Sequence, residues 1–127
     1  METKEMTKKM TTEEVADRLV ELCREGKIDE THEELFSPNA VSIEANEMMG
    51  PRIVTGLDGL REKSKLFQSQ LEEYHSSEIS DPIISGDHFA LTWTLDATMK
   101  GRGRATMKEI CVYKVEEGKV VLEQFFY

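Results

Sequence analysis

Glu109 is the residue whose setting most invites chemistry, because it is a carboxylate on a strand face that is otherwise apolar. Residues 87–127 read as three consecutive strands joined by two glycine-marked turns. The first, His88–Met99, alternates strictly. Phe89, Leu91, Trp93, Leu95, Ala97 and Met99 fall on one face, and His88, Ala90, Thr92, Thr94, Asp96 and Thr98 on the other. Folding the chain back about Gly101 or Arg102 opposes odd residues to odd, so Met107, Glu109, Cys111, Tyr113 and Val115 join the Trp93 face. Desolvation there raises the pKa of Glu109 unless a cation or a hydrogen-bond donor compensates. A carboxyl tuned in this way can take or give a proton near neutral pH. The same placement also suits a structural acid satisfied by a buried partner or lying at the sheet edge.

Two more polar groups bear on that face. The indole N–H of Trp93 needs an acceptor if it is buried. Gln124 is expected to share a face with Val120, Leu122 and Phe126, which would set an amide among apolar neighbours. The histidines offer less. His32 lies among Glu30, Glu33 and Glu34 on a solvated surface, His75 is the histidine expected nearest the apolar face, and His88 falls on the opposite face. Their separation does not make a metal site, and none is expected. With no nucleophile beside a base, no phosphate-cradling glycine loop and no dinucleotide fingerprint, acyl, phosphoryl and hydride transfer lack support, and no cofactor is expected.

The elements that must position these groups begin at Thr11 or Thr12, which caps a helix with Val15, Ala16, Leu19, Val20, Leu22 and Cys23 at helical spacing and Gly26 at its end. Asp29 is expected to cap a second helix over residues 30–36, stopped by Ser37-Pro38. Residues 40–45 read as a short strand with Val41 and Ile43 on one side and Ser42 and Glu44 on the other. Residues 46–55, which include Met48 and Met49, form the long irregular loop. A third helix, capped by Asp58, is expected to run to about Tyr74, with Leu60, Ser64, Phe67, Leu71 and Tyr74 as its inner stripe. A strand over residues 77–84, cut by Pro82, precedes the final three. The layout is α+β: three helices against one face of a strongly curved antiparallel sheet, leaving a cone-shaped hollow suited to an apolar small molecule.

Composition narrows the partners. At 127 residues the chain makes one domain, read as a flexible extension over residues 1–11 followed by a single domain over 12–127. Sixteen basic against 25 acidic residues give a net charge of −9, which argues against nucleic acid and anionic membrane as partners. No apolar run approaches a membrane span, and the first residues lack the apolar centre of a secretion signal. Two cysteines, Cys23 and Cys111, make neither a disulfide scaffold nor a metal motif, and a cytoplasmic setting is expected.

The order of elements, with Glu25-Gly26, Leu35-Phe-Ser-Pro-Asn-Ala-Val41, Gly56-Leu-Asp-Gly-Leu-Arg61 and Val115-Glu-Glu-Gly-Lys-Val120, resembles the nuclear transport factor 2-like superfamily. The resemblance covers residues 12–127. It is strongest to the SnoaL-like branch, which includes polyketide cyclases and lies near the ketosteroid isomerases, all on a cystatin-like fold. It implies that Glu44 stands where those isomerases place a carboxylate general base, and that Glu109 stands on the strand where they keep a protonated acid for the developing oxyanion. Leu19 stands about where they have a tyrosine, so ketosteroid isomerisation itself is not expected. The fold alone does not choose among isomerase, cyclase, dehydratase and binding protein.

Two readings follow. In one, the chain is a cofactor-free acid/base enzyme acting on an apolar carbonyl-bearing metabolite, with Glu44 and Glu109 catalytic and Phe67, Trp93, Tyr113, Gln124 and Met48 around the ligand. In the other, it is a ligand-binding or dimerisation module in which Glu44 is only the polar side of a half-exposed strand. The two separate on whether both carboxylates line one dry cavity or one is exposed or ion-paired. On the other sheet face Thr92, Thr94, Asp96, Thr98, Thr106, Lys108, Ile110, Val112, Val121, Phe125 and Tyr127 form a threonine-rich, partly apolar surface. Such a surface, together with the resemblance, implies a homodimer through that convex face.

Overall fold

The computed structural model describes residues 9–127, so most of the extension read over residues 1–11 lies outside the described residues. Helix α1, Thr12–Arg24, opens with a reciprocal capping box. The Thr11 hydroxyl accepts from the Glu14 backbone N–H at 3.1 Å, and the Glu14 carboxylate accepts from the Thr11 N–H at 2.8 Å. Its buried residues are the six that the helical period selects, Val15, Ala16, Leu19, Val20, Leu22 and Cys23. Gly26, at φ +76°, supplies the left-handed residue beyond its end.

Helix α2, Ile28–Leu35, starts after Lys27 with no side-chain cap, so Asp29 lies in its first turn and is not the cap. The Ser37-Pro38 pair does not merely stop this helix. It belongs to strand β1, Phe36–Ile43, where the register shifts between Phe36 and Val41 and an exposed proline costs no ladder bond. Strand β2, Ile53–Thr55, pairs antiparallel with β1. Helix α3, Gly56–Gln70, is preceded by Thr55 at the cap position, not by Asp58. It stops short of Leu71 and Tyr74, which open strand β3, Leu71–Ile79. Leu71-Glu-Glu-Tyr74 is continued by a strand ladder against β5, and that pairing overrides the helical stripe read through it. Pro82 separates β3 from the short β4, Ile83–Ser85.

Strands β5, His88–Met99, β6, Gly103–Glu116, and β7, Lys119–Phe126, form the meander. The sheet runs β2-β1-β7-β6-β5-β3, with β4 also paired to β5, and β1 lies parallel to β7 while the other pairs are antiparallel. Among the described residues the result is a curved, unclosed mixed sheet with three helices, the α+β cone expected. Its core is continuous from α1 through Leu35, Phe36 and Leu60 to Phe89, Leu91, Cys111, Tyr113, Val115 and Val120.

The β5–β6 pairing has the expected odd-to-odd parity and folds about Gly101, the first of the two expected centres, with Trp93 opposite Glu109, Leu91 opposite Cys111 and Phe89 opposite Tyr113. The β6–β7 register departs from its expected parity. Val115 pairs with Val120, but Lys114 pairs with Leu122, so a bulge at Val121 reverses the parity of everything after it. Glu123 and Phe125 therefore lie opposite Tyr113 and Cys111 on the helix side of the sheet, while Gln124 pairs with Val112 and Phe126 with Ile110 on the outer side. Gln124 is thus not a lining residue, and Phe125 does not belong to the outer face. Residues 9 and 10 lie against the β6–β7 turn, where the Lys9 ammonium meets Glu117 at 2.5 Å.

Candidate functional site

The residues that could do chemistry gather where β1, β6 and β7 face α3. In β1 the polar alternates point inward. Ser42 is fully buried, and Glu44, just past the strand, is continued in the β1–β2 ladder by its backbone N–H to the Arg52 carbonyl at 2.7 Å. The parallel pairing with β7 sets Ser42 beside Glu123, and the Ser42 hydroxyl donates to the Glu123 carboxyl at 2.7 Å. From α3, Lys63 reaches the same place. Its ammonium lies 2.5 Å from a Glu44 oxygen, donates to Ser42 Oγ at 2.6 Å and stands 4.8 Å from the centre of the Phe125 ring. The other Glu44 oxygen accepts from the Tyr127 hydroxyl at 2.8 Å, which places Tyr127 on this side and not on the outer face.

Glu109 stands apart from that network. Its side-chain hydrogen bond is a weak one from the Cys111 thiol, Sγ to Oε1 at 3.5 Å. Burial pushes its pKa up to about 7, with the Glu44 charge adding to the rise; the thiol, and more weakly Lys63, pull it back. Burial likewise raises the Cys111 thiol, and the neighbouring Glu109 charge raises it further. In Glu123 burial again dominates and raises the pKa against the lowering effects of Lys63 and the Ser42 hydroxyl. Directly across the ladder from Glu109, the Trp93 Nε1 is buried and has no hydrogen-bond acceptor. An indole N–H in that state forgoes about 1–3 kcal/mol of solvation until something accepts from it.

Of the expected site residues, Glu44, Glu109 and Trp93 lie on the helix side of the sheet. Phe67 is half-buried on α3, one turn beyond Lys63. Tyr113 is a core residue, 3% exposed and stacked on Phe89 with ring centres 4.7 Å apart. Met48 is exposed in the loop before β2, and Gln124 is turned away. His75 bonds Thr98 Oγ1 at 2.8 Å, on the outward-facing series of β5, so it is not directed at the site. His32 is not solvated as expected; it packs edge-on against Phe36 at 4.8 Å, and burial lowers its pKa. Among the described residues, no group of three or more His, Cys, Asp or Glu is arranged to hold a metal ion. A surface cleft of about 420 Å³ opens elsewhere, between α1 and residues 81–82, lined by Asp17, Glu21, Arg24 and Asp81 among others.

Sequence reasoning missed Lys63, Ser42, Glu123 and Tyr127. For Lys63 a signal was present, since it falls three residues after Leu60 and four before Phe67 on the inner stripe. For Glu123 there was none, because a bulge decides its face.

The comparisons agree with this architecture. The model of the SnoaL-like domain matches residues 10–127. A Mesorhizobium loti protein, described as a proposed SnoaL-like polyketide cyclase with carbohydrate phosphatase as a bracketed alternative, is 36% identical. It aligns over 93% of this chain and 100% of its own with a TM-score of 0.86. A cystatin-like-fold protein of unknown function from Xanthomonas campestris aligns over 92% of this chain and 90% of its own at 18% identity and a TM-score of 0.77. A protein with a ketosteroid isomerase-like fold from Catenulispora acidiphila, solved with trimethylamine, aligns over 92% and 87% at 16% identity and a TM-score of 0.69. At those two identities the likeness is one of fold. No curated protein matches the chain significantly.

Proposed function

Because the chain belongs to the SnoaL-like domain family, we propose that its helix-side sheet face binds a neutral, carbonyl-bearing small molecule and moves a proton on it, with Glu109 as the exchanging group. The observation that carries this reading is the pair of groups facing each other on β5 and β6. One is a half-buried carboxyl with only a weak bond from a thiol, brought to about 7, and the other is a buried indole N–H with no acceptor. A ligand carbonyl would accept from Trp93, and the carboxyl would take a proton from the adjacent carbon or return one, with no cofactor needed. Glu44, at the position of the isomerase base, is engaged by Lys63 and Tyr127 and acts in this reading through its charge.

That ion pair also favours a second reading, a binding module without turnover. One experiment separates the two. Trp93 is the chain's single tryptophan, so its fluorescence, with the thermal midpoint, reports binding across a panel of small cyclic ketones and enones. Proton exchange at the carbon beside the carbonyl, followed by deuterium incorporation, reports chemistry. Binding with exchange that Glu109→Gln abolishes supports the enzyme. Binding with no exchange supports the module, and no binding by any neutral carbonyl compound removes both.

The outer face is proposed as a homodimer surface, now redrawn by the bulge. Ile110 and Phe126 are exposed at 49% and 47% and pair across β6 and β7 beside Val112 and Gln124. Asp96 on the same face is bonded by Arg104 through two contacts at 3.0 and 3.1 Å. Light scattering on Val112→Lys tests this surface; an undisturbed dimer, or a monomeric wild type at high concentration, counts against it. A cytoplasmic setting is proposed on the two unpaired, buried cysteines.

A further inference from the structure

Three carboxyl groups and one ammonium share the helix side of the sheet, and hydrogen bonds divide the carboxyls unequally. The Lys63 ammonium has three N–H groups and three recipients: Glu44 Oε2 at 2.5 Å, Ser42 Oγ at 2.6 Å and the Phe125 ring at 4.8 Å. Ser42, having accepted from Lys63, turns its own hydrogen to Glu123 at 2.7 Å. Glu44 accepts Tyr127 on its second oxygen at 2.8 Å. A continuous chain therefore runs Glu123–Ser42–Lys63–Glu44–Tyr127, tying β7, β1 and α3 together. Glu109 is outside it, with only the Cys111 thiol at 3.5 Å.

We propose that Lys63 is a positioning residue of this site: its ammonium pins Glu44 directly and Glu123 through Ser42, so that Glu109 alone of the three carboxyls is left to exchange a proton with a ligand. The inference rests on the reading of Glu109 as the acid/base group. The chemistry is a matter of charge count. Three carboxylates around one cation cannot all ionise in a half-buried space at equal ease, and the one without a strong donor keeps its proton longest. The groups that act on Glu109 are Glu44 at the end of β1, Glu123 on β7, Lys63 on α3 and Cys111 on its own strand, while β5 offers only Leu91, Trp93 and Leu95 on that face. Glu44 and Glu123 raise its proton affinity, and Lys63 lowers it.

Carbon-13 carboxyl NMR titration of the ligand-free protein tests this. In the wild type, Glu109 is expected to titrate near neutral pH. Lys63→Met should move the Glu109 midpoint upward, by less than the downward shift that Glu44→Gln alone produces, and Lys63→Arg should bring it back toward the wild type. Lys63→Met leaves the half-buried Glu44 and the buried Glu123 without their cation and is the variant most exposed to misfolding. The same step is therefore also made in the Glu44→Gln background, where the pair is removed as a neutral unit and the midpoint should again rise. A tie that served only packing would leave Glu109 unmoved. An unchanged Glu109 midpoint in both backgrounds overturns the proposal. Because the titrations use no ligand, the two readings fail separately. Shifted midpoints with no carbonyl compound bound sink the functional reading alone, and bound ligands with unmoved midpoints sink the role of Lys63 alone.

Discussion

Along β5 the inward side chains change character within one turn of the pleat. Phe89 and Leu91 are 1% and 3% exposed, yet Trp93 and Leu95, next on the same face, are only half-buried. Their partners on β6 change in step, from Tyr113 and Cys111 to Glu109 and Met107. The first end lies against the apolar face of α1 and carries no charged side chain on β5 or β6; Glu123, opposite Tyr113 on β7, accepts from Ser42. The second holds Glu109, on which the charges of Glu44 and Lys63 act. One end of the face buries apolar area and gives stability. The other holds ionisable groups at a desolvation cost, which natural folds accept chiefly where a site needs them.

The largest effect that sharpens this contrast is in the packed end. Phe89→Ala is expected to cost about 3–5 kcal/mol, and Leu95→Ala, half-buried beside the polar end, less than half of that, both measured by chemical denaturation at pH 5.5. Equal costs would erase the distinction between the two ends.

The next effect lies in the polar end and depends on pH. Glu109 has its folded pKa raised from 4.5 to about 7, so the folded state holds the proton more tightly than the unfolded chain does. Its contribution is fully present below about pH 4.5 and is lost as pH rises through 7, an amount on the order of 3 kcal/mol. Glu109→Gln should flatten the fall in stability between pH 5 and 8 and should be more stable than the wild type at pH 8. A wild-type curve that is flat over that range would show that the carboxyl is not desolvated.

A smaller effect reads the same group optically. Emission from Trp93, opposite Glu109 in the ladder, is expected to titrate with a midpoint near 7 and to lose that titration in Glu109→Gln. Persistence of the transition in the variant would assign it to another group. The smallest effect lies at the turn far from both ends. Gly118 has φ +76°, and a Cβ there would meet the Met10 backbone N at 3.0 Å, so Gly118→Ala should cost about 1 kcal/mol with no change in the Glu109 titration.

Much of this architecture was legible along the chain. The six buried residues of α1, a threonine cap at its start and the sharing of one sheet face by Trp93 and Glu109 all follow from local pattern, because helix period, strand alternation and a tight turn act over a few residues. The same locality marks Glu109 as a carboxylate on an apolar face. Lys63 was legible in principle from the stripe it shares with Leu60 and Phe67. It reads as a solvated lysine until a partner is known, since a long charged side chain on a helix is usually turned to water.

What the chain order alone determined is the kind of fold, the packed end of the sheet and the placing of Glu109 on an apolar strand face. Only the tertiary structure decided which carboxyls keep company with a cation. A bulge of one residue at Val121 turned Glu123 inward and Gln124 outward, and the parallel pairing of β1 with β7 set Ser42 beside Glu123, 81 positions away. In a strand the side-chain period is two, so a single inserted residue exchanges the faces of every residue that follows. A bulge and a long-range pairing are chosen by the packing of the whole sheet, and no short stretch of sequence carries that choice.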